Sequence, residues 1–258
     1  MNRHIKKICR ILLIAAFWFA VWWGAAELYA KPLLFPSPIK VFVTLFELLA
    51  TANFYLVVLN SLKNILIGFL TALIVGVFLA FLTSKIKLLY DTVVPFMTVI
   101  KATPVASFII LLWILIGAAR VPALITFLIV LPVVWHNLNT GFAQIDPGLS
   151  EVAKIYCFSY TKKLRLLIFP SVSPYLISAC KTSFGLAWKA GIAAEIIAMP
   201  KDSIGTMIGE AKTYILTAEV FAWTLTVVLL SLVLEYGFSA LLRIFTAKKV
   251  KEGGEEHA

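Results

Sequence analysis

The most constraining feature of the chain is a long, mostly apolar run, residues 56–83, in which the only charged side chain is Lys63. A helix needs about 20 apolar residues to cross the ~30 Å hydrocarbon core of a bilayer, so this run can span a membrane with some tilt. Over the whole chain 61% of residues are hydrophobic and 14% are charged, which excludes an ordinary soluble domain. The sequence therefore predicts an all-α, polytopic membrane protein.

Five further apolar runs are separated by short polar segments. Together with the first they predict about six transmembrane helices, over residues 11–26, 56–83, 92–117, 123–140, 174–199 and 217–246. We divide the chain into an N-terminal helix with an outer loop (1–55), a transmembrane domain (56–243) and a short cytoplasmic tail (244–258).

The first run has two interpretations. Basic residues precede it, and Leu28-Tyr29-Ala30 resembles a signal-peptide cleavage site. Trp22 and Trp23, however, suit the interfacial belt of a retained helix, which is the interpretation we favour. In both cases the segment that follows lies outside.

Lysine and arginine are distributed unevenly between the runs. With both termini inside, 14 of the 23 basic residues lie on the inner side, 5 on the outer side and 4 within spans. The positive-inside rule therefore predicts a membrane protein with both termini in the cytoplasm. The basic residues stand at the ends of apolar runs and form no single stripe, so the net charge of +10 does not indicate nucleic-acid binding.

The longest polar stretch after the N-terminus, residues 146–174, joins the fourth and fifth runs. Asp146 and Pro147 predict the start of a short helix to about Tyr156, and Ser159 can cap a second one. Two amphipathic helices on a basic loop favour a docking surface for a soluble partner. On composition alone, an ordinary solvated loop is an equal alternative.

This stretch resembles the cytoplasmic signature of binding-protein-dependent, type-1 ABC importer permeases. Glu151-Val152-Ala153 stands for Glu-Ala-Ala, Cys157 takes the place of the glycine, and Ile168-Phe169-Pro170 takes the place of the closing Ile-x-Leu-Pro. The resemblance implies that the loop enters a groove of an ATP-hydrolysing subunit. It assigns coupling to Glu151, Ala153, Cys157, Ile168 and Pro170, and cysteine at the turn is a departure from the family.

Further positions resemble the nitrate, sulfonate and taurine branch of these permeases. They are Pro36-Ser37-Pro38, Lys101-x-x-Pro104 with Trp113 and Gly117, Asn137 with Gly141, Trp188-Lys189 and Ala194-Glu195. The resemblance implies a permease embedded in the lipid bilayer of the inner membrane. It also implies three kinds of protein partner: a second permease copy, two ABC ATPase subunits and an extracytoplasmic solute-binding protein.

Charged side chains inside the spans are the candidates for the transport pathway, since such residues are costly in lipid. Lys181, Gly185 and Lys189 recur every four residues and lie near one face of the fifth run. Lysines beside a pathway fit an anion such as nitrate, a sulfonate or taurine. Snorkelling, or pairing with an acid from another helix, is the alternative for each lysine. The pathway candidates are Lys101, Lys181, Lys189 and Glu195.

No catalytic or metal-binding pattern accompanies these features. His136 has no nucleophilic partner, the three histidines and three cysteines have no metal-ligand spacing, and no Gly-x-x-x-x-Gly-Lys-Ser/Thr loop is present. We expect a transport subunit without a cofactor, with ATP hydrolysis on a partner. The competing classes are a free-standing secondary carrier and a membrane-embedded enzyme.

Overall fold

The computed structural model describes residues 3–29, 31 and 33–255, and this part of the chain is helical with no β-strand. The helices are α1 Arg3–Tyr29, α2 Pro38–Leu49, α3 Ala52–Thr83, α4 Lys87–Ala102, α5 Val105–Ile116, α6 Val121–Ala143, α7 Pro147–Ile155, α8 Tyr160–Lys163, α9 Phe169–Ala198, α10 Ile204–Thr213 and α11 Thr217–Glu255. A 3₁₀ turn, Ala118–Arg120, precedes α6, and a π turn, Leu164–Ile168, joins α8 to α9. The prediction of an all-α chain is confirmed; Ala30, in the proposed cleavage motif, lies outside the described residues.

Judged by length and composition, fewer helices could span a membrane than the six expected. Among the described helices, α1, α3, α6 and α11 could cross a membrane on these grounds, and α4 with α5 would make a fifth if the pair is one span. Helix α9 is long enough, with 30 residues, but it carries Lys181, Lys189 and Glu195. Its position as a span remains a prediction.

The third run, expected to be one helix over residues 92–117, is broken. Helix α4 ends at Ala102, α5 begins at Val105, and the two are bent by 101°. Pro104 is the cause, because a residue before proline is pushed out of the helical region, and Thr103 has φ −77° and ψ 131°.

Three helices, α3, α6 and α9, form the centre of the fold. A Cβ added to Gly68 of α3 would collide with the carbonyl oxygen of Ala123 of α6, and one added to Gly191 of α9 would lie 2.5 Å from Cγ1 of Ile65. Contacts this short are possible only without side chains. The absence of a Cβ at these positions therefore brings the helices close together, as in membrane helix pairs.

The helix directions alternate as the topology requires. Thr83, at the end of α3, lies 3.0 Å from Asn139 near the end of α6, so these helices run in parallel. Helix α9 runs the opposite way, since Gly141 of α6 meets Tyr175 at its start and Ser61 of α3 meets Glu195 at its end. The α7–α8 loop and the α10 segment consequently lie at opposite ends of the bundle.

Cysteine labelling tests which end faces outward. The segment before α10 supplies the labelling position at the end opposite the α7–α8 loop. Lys201 is exposed there and is suitable, whereas Ser203 is 1% exposed and caps α10. With Cys157 as the only cysteine, we expect an impermeant maleimide to react only after the membrane is opened. With Lys201→Cys as the only cysteine, it should react on intact cells. The reverse pattern would invert the topology.

Candidate functional site

Helix α7 begins at Pro147, as the sequence predicted. The Asp146 carboxylate caps it by accepting a hydrogen bond of 2.7 Å from the Gly148 amide. The helix leaves an apolar surface uncovered by the rest of the chain, formed by Leu149, Val152, Ile155 and Tyr156. Glu151 is exposed on the same helix. An uncovered apolar surface on a short polar loop is suited to contact with another protein.

Cys157 ends α7 in the left-handed conformation, with φ 47°. The Phe158 amide donates to the Ala153 carbonyl at 2.9 Å and the Cys157 amide donates to the Lys154 carbonyl at 3.0 Å. These two bonds form the Schellman motif, which closes a helix around a left-handed residue that is usually glycine. The spacing from Ala153 to Cys157 in the signature is therefore the spacing of a helix end, and Ala153 is buried there.

Helix α8 begins after its N-cap residue Ser159, whose hydroxyl accepts a hydrogen bond of 3.4 Å from the Lys162 amide. It has four residues, and the π turn then carries the backbone into α9 without a loop. Ile168 is buried in that turn and Pro170 is exposed in the first turn of α9. Of the five predicted coupling residues, Glu151, Cys157 and Pro170 are accessible, whereas Ala153 and Ile168 pack inside.

The predicted pathway residues do not form one cluster. Lys101 is exposed in the last turn of α4, directly before the break, where a cation faces the carbonyl end of the helix. Lys181 and Lys189 are exposed on α9, on either side of Gly185. Glu195 is 0% exposed, near the opposite end of α9 from the α7–α8 loop.

The Glu195 carboxylate joins three helices. Its Oε2 accepts from the Ser61 hydroxyl of α3 at 2.7 Å and from the Gly205 amide of α10 at 3.2 Å. Ser61 in turn accepts from the Ile204 amide at 2.9 Å. An anion at the amide end of α10 is favourable, so this arrangement fastens α10 to the core.

Sequence reasoning missed Glu235, an acid inside the apolar part of α11. Its side chain is half-buried and packs on Gly185 between the positions of Lys181 and Lys189. A carboxylate within a predicted span was the available signal, because such groups are costly in lipid. In the part of the chain that the structure describes, no three histidine, cysteine or acidic side chains gather as a metal site would require.

The fold and this loop define a polytopic helical membrane protein in which a capped, exposed helix connects two packed core helices. The chain belongs to the family described as "Binding-protein-dependent transport system inner membrane component", whose sequence profile matches residues 72–251. The resemblance of the sequence to the family of ABC importer permeases is thereby confirmed.

Individual relatives include nitrate and taurine permeases, from the branch that the sequence indicated, and a bicarbonate permease. The nitrate import permease protein NrtB of Synechocystis sp. is 24% identical over 78% of this chain and 76% of its own length. The taurine transport system permease protein TauC of Escherichia coli is 24% identical over 88% and 84%. The bicarbonate transport system permease protein CmpB of Synechococcus elongatus is 30% identical over 58% and 55%. These relatives are transport permeases and not enzymes.

The left-handed turn makes a prediction about Cys157. A branched side chain at positive φ costs about 1–3 kcal/mol, so Cys157→Val should open the turn and speed tryptic cleavage after Lys154 and Lys162 about tenfold. Cys157→Gly should stay within about threefold of the wild type, because glycine accepts this conformation. The exposed Cys9→Val is the control. Unchanged cleavage of Cys157→Val would show that the turn does not hold the loop.

Proposed function

We propose that the chain is the permease subunit of an ABC importer that moves a small anion, coupled to a separate ATPase through residues 146–170. The observation that carries this proposal is helix α7. It presents Glu151 and an uncovered apolar surface, and its end is fixed by the turn at Cys157. Such a helix is a rigid protrusion that can bind in a groove of a soluble partner.

The connections of the loop support a mechanical role. Helix α8 continues into α9 through hydrogen-bonded backbone, and Gly141 near the end of α6 packs against the ring of Tyr175 in α9. A force on α7 from ATP-driven closure of the ATPases therefore reaches both α6 and α9. Because α9 carries Lys181 and Lys189, the same movement changes the surroundings of these lysines.

The proposed assembly has two copies of this permease, two ATPase subunits and an extracytoplasmic solute-binding protein. In it, residues 56–243 form the transmembrane domain, residues 1–55 supply an added helix and outer segment, and residues 244–258 form the cytoplasmic tail. The α7–α8 loop faces the cytoplasm, where an ATPase can reach it, and both termini lie on that side. The charge distribution between the spans supports this orientation.

The solute class is proposed from two observations. Relatives are named for the import of nitrate and bicarbonate, which are anions, and of taurine, which carries a sulfonate group. Lys181 and Lys189 are exposed on one face of a core helix, where a positive charge can attract an anion. In this proposal Lys101, at the break between α4 and α5, is a further cation near the pathway. Glu195 holds α10 against α3 and α9 at the outer end of the bundle.

The coupling proposal is tested by Glu151→Lys. Reversal of a charge at an interface costs several kcal/mol, so we expect loss of ATPase co-purification and of transport, with the permease still in the membrane. Glu47→Lys makes the same change on α2, at the end of the bundle opposite α7, and should leave the complex intact. Retention of the ATPase by Glu151→Lys would exclude this loop as the coupling element. A free-standing carrier would purify without an ATPase in every variant.

The anion proposal is tested by uptake in Lys181→Met and Lys189→Met, after assembly with the ATPase has been verified. Loss of one positive charge near the solute should reduce uptake about tenfold or more, since even a solvated charge interaction is worth about 1–4 kcal/mol. Lys63→Met, an exposed lysine of α3, is the control. Full uptake by both variants would remove the argument for an anionic solute.

A further inference from the structure

Helix α11 crosses α9 at Gly185, and the side chain at the crossing is Glu235. Its Oε1 atom lies 2.6 Å from the point that a Cβ on residue 185 would occupy, and its Cδ lies 3.2 Å from that point. The Ser231 hydroxyl donates to the same oxygen at 3.2 Å. The carboxylate therefore fills the space that glycine leaves open.

Contacts on both sides of the crossing hold Glu235 in this position. Toward one end, the Trp188 indole donates to the Val227 carbonyl at 3.2 Å. Toward the other, the rings of Phe184 and Phe238 stack with centroids 4.4 Å apart. Glu235 lies between these two fixed points, so its helix cannot shift along α9 without breaking one of them.

The two lysines of α9 are placed symmetrically about this carboxylate. Lys181 is four residues before Gly185 and Lys189 is four residues after it. Residues four apart lie on one helix face with Cβ atoms about 5–6 Å apart, and a lysine side chain is long and flexible enough to cover that distance. Both ammonium groups can therefore reach the Glu235 carboxylate without movement of the backbone.

We propose that Glu235 is the charge partner of Lys181 and Lys189, and that the three side chains leave one net positive charge per subunit for a singly charged solute anion. This inference rests on the proposed transport function for its second half only. A pair of lysines in a span is costly without compensation, and a single acid compensates one of them. Gly185 is part of the arrangement because any side chain there would displace the carboxylate.

The pairing is tested without transport, by a double-mutant cycle on the complex of permease and ATPase in detergent. Glu235→Gln should lower Tm by about 3–6 °C, and combination with Lys181→Met or Lys189→Met should lower it by clearly less than the two single losses together. Gly185→Ala should mimic Glu235→Gln although all charges remain. Glu219→Gln on α11 and Gly237→Ala, which has no neighbour within 4 Å, are the matched controls. Additive losses with both lysines would overturn the pairing.

Uptake tests the net charge, with whichever of the two anions nitrate and bicarbonate the wild-type complex imports as the probe. Lys181→Met leaves no net charge and should reduce uptake about tenfold; Glu235→Gln added to it restores one positive charge and should return uptake to within about threefold of wild type. Absence of this rescue would overturn the charge assignment. Coupling in the cycle with full uptake by both lysine variants would retain the pairing but refute the anion function. If the losses of Tm are additive but the lysine variants still lose uptake, the pairing is refuted and the anion function is retained.

Discussion

The close approach of α3, α6 and α9 is the contact on which the other features depend. Gly68 and Gly191 permit it, because a Cβ at either position would meet atoms of the neighbouring helix. Lipid offers little hydrophobic drive for helices to associate, so such close packing must supply much of the attraction. Helix α9 is consequently fixed in the core along its length even though it carries three charged residues. Every candidate functional group except Lys101 of α4 and Glu235 of α11 lies on α9 or on the loop that leads into it.

The charged residues of the helix bundle are accommodated in three different ways. Glu195 is buried and hydrogen-bonded at the start of α10. Lys101 occupies the end of a helix that Pro104 has interrupted. Glu235 and the lysines of α9 lie on facing helices around a glycine. Each solution uses a different local feature, namely a helix start, a helix end and a missing side chain.

Local features were predictable from sequence and distant contacts were not. The start of α7 at Pro147 and the cap at Ser159 follow from residue type and spacing, because capping depends on neighbours within a few residues. The turn at Cys157 was predictable in place from the signature, although its left-handed conformation was visible only in the structure. The contact between Glu235 and Gly185 spans 50 positions of sequence, and no periodicity encodes it. The break at Pro104 had a visible cause, but apolar composition on both sides concealed it.

The π turn between α8 and α9 has a consequence for changes in chain length. There the Phe169 amide bonds to the Leu164 carbonyl, five residues back, so the turn holds one residue more than an α-helix would. A single-residue deletion within 164–168 can convert it to regular α-helix and leave the faces of α9 where they are. The same deletion further along α9 would rotate everything beyond it by about 100° and turn Lys189 away from its present face. Within residues 164–168 the chain can thus lose one residue without a rotation of α9.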